Sequence, residues 1–365
     1  MKIIFIIADI TSIGGIERVS SILTNTFIQH NHSVEIVSLF KAHDTVNYHF
    51  NKSVSIKYLS NKNYAVQKQG GISRLLMFCS IILNLKKYLK THNFDLIMSH
   101  GFPVSFITWL SGYAQKAIAC EHVYHNYYKG IVKMIRTVAY KKFYRVAVLT
   151  QNDRRHFSKY LENVVYIPNP LPFQTEQSSS LEYKRIICAG RLSYQKGYDI
   201  LLNILPPVFK LFPDWKLDIY GEGNLHNELT ALSESLGLSN HVFFKGTTSN
   251  IMNEYLHSSL FILSSRYEGF SMVLIEAASC GLPIISFDCP EGPADILKND
   301  RGILVRMNDS AGLQEAIIKM LSNSELRKEY GEKAKEIQKD YLPETIYSKW
   351  NIVFEEYLKY SADKS

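Results

Sequence analysis

Short apolar runs alternate with amphipathic stretches along the whole 365-residue chain. This alternation is typical of parallel strands whose sheets are covered by helices. In the first half, the predicted strands are residues 2–8, 34–40, 54–59, 94–98, 116–120, 144–149 and 163–167. In the second half, they are residues 185–189, 216–220, 242–245, 260–264, 283–287 and 302–305. The sequence therefore predicts an α/β protein with two doubly wound parallel sheets.

A tract rich in proline and serine, from Pro168 to Ser180, separates the two series of strands. The chain is too long for one ordinary domain, so two cores of roughly 150 to 200 residues are expected. We expect two domains, residues 1–170 and 171–342, that face each other across a cleft. Because ligands of such sheets bind beyond the carboxyl ends of the strands, the loops that follow strands are the places to search for a site.

The cysteines and the apolar stretches favour a cytoplasmic protein. The five cysteines show no spacing typical of a zinc site or a disulfide framework. The longest strongly apolar stretch, residues 75–85, has about half of the ~20 residues that cross a bilayer. The first residues carry no signal-peptide cleavage site and are better interpreted as a buried strand.

Positive charge is concentrated in the first half of the chain. Residues 1–175 carry 21 Lys and Arg against 8 Asp and Glu, which is +13, whereas the remainder carries −6. Aromatic and basic side chains are mixed in residues 127–136 and 140–145. Such a face can approach anionic lipid, or its cations can simply solubilise helices. Nucleic acid is not an expected partner, since no nucleic-acid module accompanies the charge. The cations singled out for a membrane surface are Lys133, Arg136, Lys141 and Lys142.

In each half of the chain, one glycine-containing loop follows the first strand. Gly14 and Gly15 allow close backbone approach before a helix that is expected to start near Gly15 or Ile16. The complete G-x-G-x-x-G pattern is missing, so a tight turn and a ligand loop both remain open. The second loop carries Arg191 and Lys196, which together can hold a diphosphate: Arg binds phosphate bidentately and Lys supplies a compact charge.

Glu268 and Glu276 stand eight positions apart across the expected start of a helix. Ser271 can cap this helix, which should end near Gly281, and a helix N-terminus suits a phosphate or a sugar hydroxyl. At ~1.5 Å per helical residue the two carboxylates would be roughly 10 Å apart, against roughly 5 Å in retaining glycosidases. Separate contacts to one extended ligand are therefore favoured over an acid/base pair.

Histidines also follow the predicted strands. His122 lies just beyond residues 116–120 and could form a hydrogen bond across the cleft, and His100 is a weaker alternative for this cleft histidine. His122 and His125 lack a third ligand at a familiar spacing, so no metal site is expected from them. The chain contains no Asp-x-Asp motif. We therefore expect neither a metal nor another cofactor.

In this order, the glycine loop, the strand-end histidine, Gly190-Arg191 with Lys196-Gly197, and Glu268-x7-Glu276 resemble family 4 glycosyltransferases. Residues 167–170 at the domain junction strengthen the resemblance. Residues 288–293 resemble the branch that builds bacterial surface polysaccharides and lipid-linked oligosaccharides.

The resemblance implies the GT-B fold, with two Rossmann-like domains that face each other across a cleft. The first would bind the acceptor and the second a nucleotide sugar, and helices in residues 343–360 would cross back onto the first. It implies transfer, with retention of configuration, of a hexose or N-acetylhexosamine from a UDP-sugar to a glycan. The glycan would be lipid-linked, as in O-antigen or capsule synthesis at the inner face of the plasma membrane.

Carried onto this sequence, the resemblance also implies individual roles. Arg191 and Lys196 would hold the donor diphosphate, Glu276 the ribose, and Glu268 the transferred sugar. His122 would lie over the sugar and the acceptor. The remaining donor contacts would come from the backbone of Gly14, Gly15, Gly269, Phe270 and Ser271.

Two other functions remain open from the sequence: a nucleotide-sugar epimerase of the same architecture, and a non-catalytic protein that binds sugar nucleotides. One feature departs from the family pattern. Pro206 and Pro207 lie inside a segment that the family folds as one helix, and proline breaks or kinks a helix. A break or kink is therefore expected there.

Overall fold

The computed structural model describes residues 1–61 and 72–363. They form two compact units: Met1–Pro172 together with Pro343–Ser365, and Phe173–Leu342. Every predicted strand is present, with bounds within two residues of those expected. None of the helices in these residues has the length and apolar character needed to cross a membrane.

The strands are, in chain order, β1 Lys2–Ile7, β2 Ser33–Ser38, β3 Ser55–Tyr58, β4 Leu96–His100, β5 Ala117–Cys120, β6 Arg145–Val148, β7 Val164–Tyr166, β8 Arg185–Ala189, β9 Lys216–Tyr220, β10 Val242–Gly246, β11 Leu260–Leu263, β12 Ile284–Asp288 and β13 Ile303–Arg306. The helices are α1 Gly15–Gln29, α2 Ile72–Thr91, α3 Phe102–Leu110, α4 Gly130–Tyr140, α5 Gln151–Phe157, α6 Tyr198–Leu211, α7 His226–Ser235, α8 Ile251–Leu256, α9 Met272–Ser279, α10 Pro293–Ile296, α11 Ser310–Ser322, α12 Ser324–Lys335, α13 Gln338–Tyr341 and α14 Pro343–Ala362.

Each unit is built on one parallel sheet. The first sheet has the order β3-β2-β1-β4-β5-β6-β7 and the second β10-β9-β8-β11-β12-β13. In each sheet the strand order reverses next to the unit's first strand, between β1 and β4 and between β8 and β11. Ligands of such sheets bind at this reversal, beyond the carboxyl ends of the strands. The loops after β1, β4, β8 and β11 are therefore the ones positioned to form sites.

Apolar strands form the core of both sheets. Residues 3–7 of β1 are all buried, and so is every residue of β11. Strands that are buried on both faces read as continuous apolar runs, which is why they were recognisable from the sequence. The helix α14 packs on α1 of the same unit, with the rings of Trp350 and Phe354 against Phe27 at 6.3 and 5.2 Å.

Of the break or kink expected at Pro206 and Pro207, the break does not occur in the helix α6. It runs as one α-helix from Tyr198 to Leu211 with both prolines inside it. Its apolar face is buried in the core, including Leu205 and Val208 on either side of the proline pair. Burial of these side chains offsets the two backbone hydrogen bonds that the prolines cannot donate.

The sequence suggested that Arg136 lies on a basic surface. In the structure it lies in the interior of the first unit. Its guanidinium is fully buried and forms an ion pair with Glu121, with Nη1 3.2 Å from Oε2. It also donates to the carbonyl of His125, and Tyr140 donates to Glu121 at 2.8 Å. Burial raises the pKa of Glu121, and Arg136 opposes that rise. This network joins α4 to the loop after β5.

We predict that Arg136→Met destabilises the first unit by about 3–5 kcal/mol, because it leaves the Glu121 carboxyl buried without its cation. Urea denaturation of the variant measures this loss. The control is Lys141→Met, which changes an exposed side chain close by and should alter the unfolding free energy by less than about 0.5 kcal/mol. Equal midpoints for Arg136→Met and the wild type would contradict the prediction.

Candidate active site

Four loops of the second unit meet at the carboxyl edge of its sheet. They follow β8, β9, β11 and β12. Backbone hydrogen bonds tie them together: Leu192 N–H donates to the carbonyl of Glu222 at 3.0 Å, and Glu268 N–H donates to the carbonyl of Pro290 at 3.1 Å. The loop around Glu222 carries none of the predicted site residues. The loops together fix the backbone on which the predicted donor residues stand.

The loop after β8 depends on Gly197. This residue has φ of 63°, and a Cβ here would lie 2.2 Å from the carbonyl oxygen of Ser264. Only glycine allows both the left-handed backbone and this close approach. Gly197 therefore holds the loop that carries Arg191 and Lys196 against the loop after β11. Arg191 is exposed in this arrangement.

Lys196 and Glu268, which the sequence analysis placed in separate roles, form an ion pair. Lys196 Nζ lies 2.7 Å from Glu268 Oε1, and Ser265 Oγ donates to the same oxygen at 2.6 Å. The two side chains are only 13% and 6% exposed. A charge-assisted pair sheltered from water fixes both groups, and an incoming phosphate oxygen would compete with Glu268 for the ammonium.

Arg266 forms hydrogen bonds to Tyr194 and Asp199, two residues near Lys196. Its two Nη atoms donate to the Asp199 carboxylate at 2.8 and 2.6 Å, and Nη1 also donates to the carbonyl of Tyr194 at 2.8 Å. Its guanidinium lies 4.0 Å from the centroid of the Tyr194 ring. These hydrogen bonds lower the pKa of Asp199, which keeps it ionised. The ion pair between Arg266 and Asp199 could not be foreseen from the sequence, because the two residues lie 67 positions apart.

The helix α9 begins directly after Ser271, as predicted, but Ser271 does not cap it through its side chain. Its backbone is left-handed, with φ of 74° and ψ of 74°, whereas a capping serine has an extended backbone. Its Oγ is buried and has no hydrogen-bond partner among the described protein atoms. A left-handed non-glycine residue is strained, and such strain clusters at ligand sites.

Gly269 and Phe270 are held in place by their surroundings. The Phe270 ring is buried and meets the edge of Tyr341 at a centroid distance of 5.5 Å. A Cβ at Gly292, in the loop after β12, would lie 2.3 Å from the carbonyl oxygen of Phe270. The segment from Glu268 to Ser271 is thus fixed on both sides.

Glu276 lies inside α9, as predicted, while Glu268 lies in the loop before it. The Glu276 side chain is buried, and the Tyr255 hydroxyl donates to its Oε2 at 3.4 Å. The two glutamates therefore occupy different environments: Glu268 is paired with a cation, and Glu276 is in contact with a phenol.

In the first unit, Gly14 and Gly15 open the helix α1. Gly15 is its first residue and Gly14 the preceding position, with an extended backbone. A Cβ at Gly14 would lie 2.6 Å from Glu17 Oε2, whereas the space around Gly15 is open. The expected helix start is confirmed.

His100 and His122, which the sequence left as alternatives, are in contact in the first unit. His100 Nδ1 lies 3.0 Å from His122 Nε2. Burial lowers the pKa of His122 to about 4, and burial with the neighbouring His122 lowers the pKa of His100 well below its ordinary value. Both rings are therefore neutral near pH 7. His125 instead bonds Asp153, with Nδ1 3.1 Å from Oδ1.

Two family models match the chain. The model for Glycosyltransferase Family 4 matches residues 13–174, and the model for Glycosyl transferases group 1 matches residues 173–337. The amylovoran biosynthesis glycosyltransferase AmsD of Erwinia amylovora is 30% identical over 364 residues, covering 96% of this chain and 98% of AmsD.

A Campylobacter jejuni enzyme is similar over almost the same length. It is an α-1,4-N-acetyl-D-galactosaminyltransferase named for a GalNAc-containing oligosaccharide on undecaprenol diphosphate, and it is 29% identical, covering 96% of this chain and 97% of the enzyme.

Solved structures share the fold. A TarM structure from S. aureus that contains UDP has a TM-score of 0.78 at 17% identity, covering 97% of this chain and 99% of TarM. Anabaena HepE in complex with UDP has a TM-score of 0.75 at 16% identity, covering 98% of this chain and 100% of HepE. The chain therefore belongs to glycosyltransferase family 4, and its two Rossmann-like units have the GT-B fold.

Proposed function

We propose that this glycosyltransferase moves a hexose or N-acetylhexosamine from a UDP-sugar to a lipid-linked glycan, with retention of configuration. The reaction would serve bacterial surface-polysaccharide synthesis, such as that of O-antigen or capsule. The observation that carries the proposal is the sheltered Lys196–Glu268 pair, 2.7 Å apart, at the point where the strand order of the second sheet reverses.

The donor would lie along the loops that follow β8 and β11. Arg191 and Lys196 would bind its diphosphate, assisted by the free N–H groups at the start of α9. Glu276 would accept hydrogen bonds from the ribose, and Glu268 from the transferred sugar. The UDP in the TarM and HepE structures supports a uridine nucleotide.

Transfer would be driven by stabilisation of the leaving group. As the bond between sugar and diphosphate lengthens, negative charge grows on the leaving oxygen, where Lys196 and Arg191 would stabilise it. These two cations would do so without a metal. We propose attack on the same face of the sugar, with the departing phosphate taking the proton of the acceptor hydroxyl. Glu268 would orient the sugar without forming a covalent intermediate.

The similarity to the Campylobacter jejuni enzyme supports an acceptor carried on a lipid diphosphate. The similarity to AmsD, which is named for amylovoran biosynthesis, supports a biosynthetic role for the transfer. An acceptor of this kind would be reached by an enzyme at the inner face of the plasma membrane.

The helix α4 provides a surface for this location. Ile131, Met134 and Val138 recur on one helical face and are 67%, 60% and 46% exposed. Lys141 and Lys142, exposed just after the helix, flank this apolar row. Apolar side chains bordered by lysines match an anionic bilayer surface. Of the other two cations selected from the sequence, Lys133 bonds Asn126 at 2.7 Å and Arg136 is buried.

For the donor site, we predict that Lys196→Ala lowers kcat by ~100- to 1,000-fold, as loss of one preorganised donor to the developing charge typically does. Glu276→Ala should mainly weaken UDP binding, and Glu268→Ala should mainly lower kcat. Product formation is measured with a panel of UDP-sugars and a lipid-diphosphate acceptor, and UDP binding by calorimetry. Lys184→Ala is the control, because it removes an exposed lysine whose partner is Asp214.

Two results would overturn the assignment. One is wild-type turnover by Lys196→Ala. The other is conversion of the UDP-sugar to an isomer without any acceptor, which would identify an epimerase. A glycosyl group trapped on Glu268 would overturn only the same-face mechanism.

For the membrane surface, we predict that serine at positions 131, 134 and 138 abolishes sedimentation with phosphatidylglycerol vesicles at every salt concentration. Lys141→Gln with Lys142→Gln should weaken binding about 30-fold at low salt, at about 1 kcal/mol for each lysine, and less at high salt. The matched control replaces three exposed apolar residues outside α4 with serine: Leu211, Ile352 and Leu358. If this control lost binding as fully as the α4 variant, α4 would not be the docking surface.

A further inference from the structure

A small cavity lies behind His122 in the first unit, with a volume of about 10 Å³. Most of its lining side chains are apolar, and its polar groups come from His100, His122, Asn169 and Trp350. A volume of this size is roughly what one water molecule needs.

Two of the residues that line this cavity each have a buried ring nitrogen without a partner among the described protein atoms. The nitrogens are Nε2 of His100, a residue 2% exposed, and Nε1 of Trp350, a residue 3% exposed. A buried nitrogen that makes no hydrogen bond is destabilising. The two nitrogens come from β4 and α14, elements far apart in the sequence but packed in the same unit.

We propose that one water occupies this cavity, accepts a hydrogen bond from Trp350 Nε1–H and donates one to His100 Nε2. His100 then carries its proton on Nδ1 and donates to His122 Nε2. His122 in turn carries its proton on Nδ1. This series of hydrogen bonds, from Trp350 through the water and His100, thus selects one tautomer of His122. His100 is therefore a positioning residue.

The alternative arrangement of protons leaves more hydrogen-bond donors without acceptors. There, His122 Nε2–H would donate to His100 Nδ1, and His100 Nε2 would carry a hydrogen. The water would then accept from both Trp350 and His100, and both of its own hydrogens would need acceptors in a wall that offers the Asn169 amide oxygen and otherwise mainly apolar side chains. In the proposed arrangement one water hydrogen is bonded to His100 Nε2, and only the other needs such an acceptor. Buried donors without acceptors are costly, which favours the proposed arrangement.

The tautomer decides what His122 can do. Its Nδ1 makes no hydrogen bond within the described residues, so it is available to a ligand. A protonated Nδ1 on a neutral ring donates to a substrate oxygen and cannot accept a proton there. His122 is therefore a hydrogen-bond donor and not a general base. The donor role of His122 toward a substrate rests on the proposed function, whereas its tautomer is a property of the protein without substrate.

The tautomer is tested on the full chain, without substrate, by NMR of protein containing ¹⁵N-labelled histidine. Loss of one ring system in His122→Gln assigns the His122 signals among those of the 12 histidines. We expect the His122 proton on Nδ1, and density for one water between His100 and Trp350 in a crystal structure. A His122 proton on Nε2 would overturn the proposal.

The matched variants are His100→Asn and His100→Leu, which have nearly the same shape. Asn can still donate to His122 Nε2 and should retain the tautomer, whereas Leu should release it. Trp350→Phe removes the N–H but keeps the apolar packing, and it should shift the His122 tautomer population as well. An unchanged tautomer in both His100→Leu and Trp350→Phe would also overturn the proposal.

Turnover provides a second readout. His100→Leu should lower kcat roughly fivefold relative to His100→Asn, the effect of losing one ordinary hydrogen bond, with the donor KM unchanged. Equal kcat values for the two variants would overturn the donor role. If no UDP-sugar and acceptor give a product, the proposed function fails, yet the NMR result on the tautomer stands separately.

Discussion

Parallel strand pairing is the constraint on which the rest of this structure depends. Because all strands of a sheet point the same way, every loop that leaves a carboxyl end reaches the same edge. The reversal of strand order next to β1 and β8 then separates two neighbouring loops at that edge and leaves room for a ligand. The Lys196–Glu268 pair lies beyond the carboxyl ends of such strands, and in the His100–His122 pair His100 is the last residue of its strand.

Backbone contacts turn this edge into fixed geometry. Gly197 brings the loop after β8 onto Ser264, and Gly292 brings the loop after β12 onto Phe270. A Cβ at these positions would lie 2.2 and 2.3 Å from a carbonyl oxygen, so any larger residue would force the loops apart. Ion pairs alone cannot hold such loops, since their side chains rotate. The glycines therefore position the charges, and Arg266 with Asp199 braces them.

The strands and the starts of α1 and α9 were predictable because they depend on local patterns. A continuous apolar run such as residues 3–7 predicts a buried strand, and Gly15 marks the start of α1. The partners of side chains were not predictable. Arg136 looked like one cation of a basic surface until the fold placed Glu121 beside it, and α6 keeps its prolines because of packing that the sequence does not display. Ser271 was placed correctly, but its left-handed backbone was not foreseen.

The pairing of Lys196 with Glu268 has a consequence for how the site would receive a donor. The Lys196–Glu268 pair is locally near neutral, and the carboxylate keeps the ammonium oriented and sheltered from water. A diphosphate carries more charge than one carboxylate and would displace it from Lys196. Glu268 would then be released, close by, to accept a hydrogen bond from the sugar. The same pair would thus preorganise the cation before binding and couple diphosphate capture to orientation of the sugar.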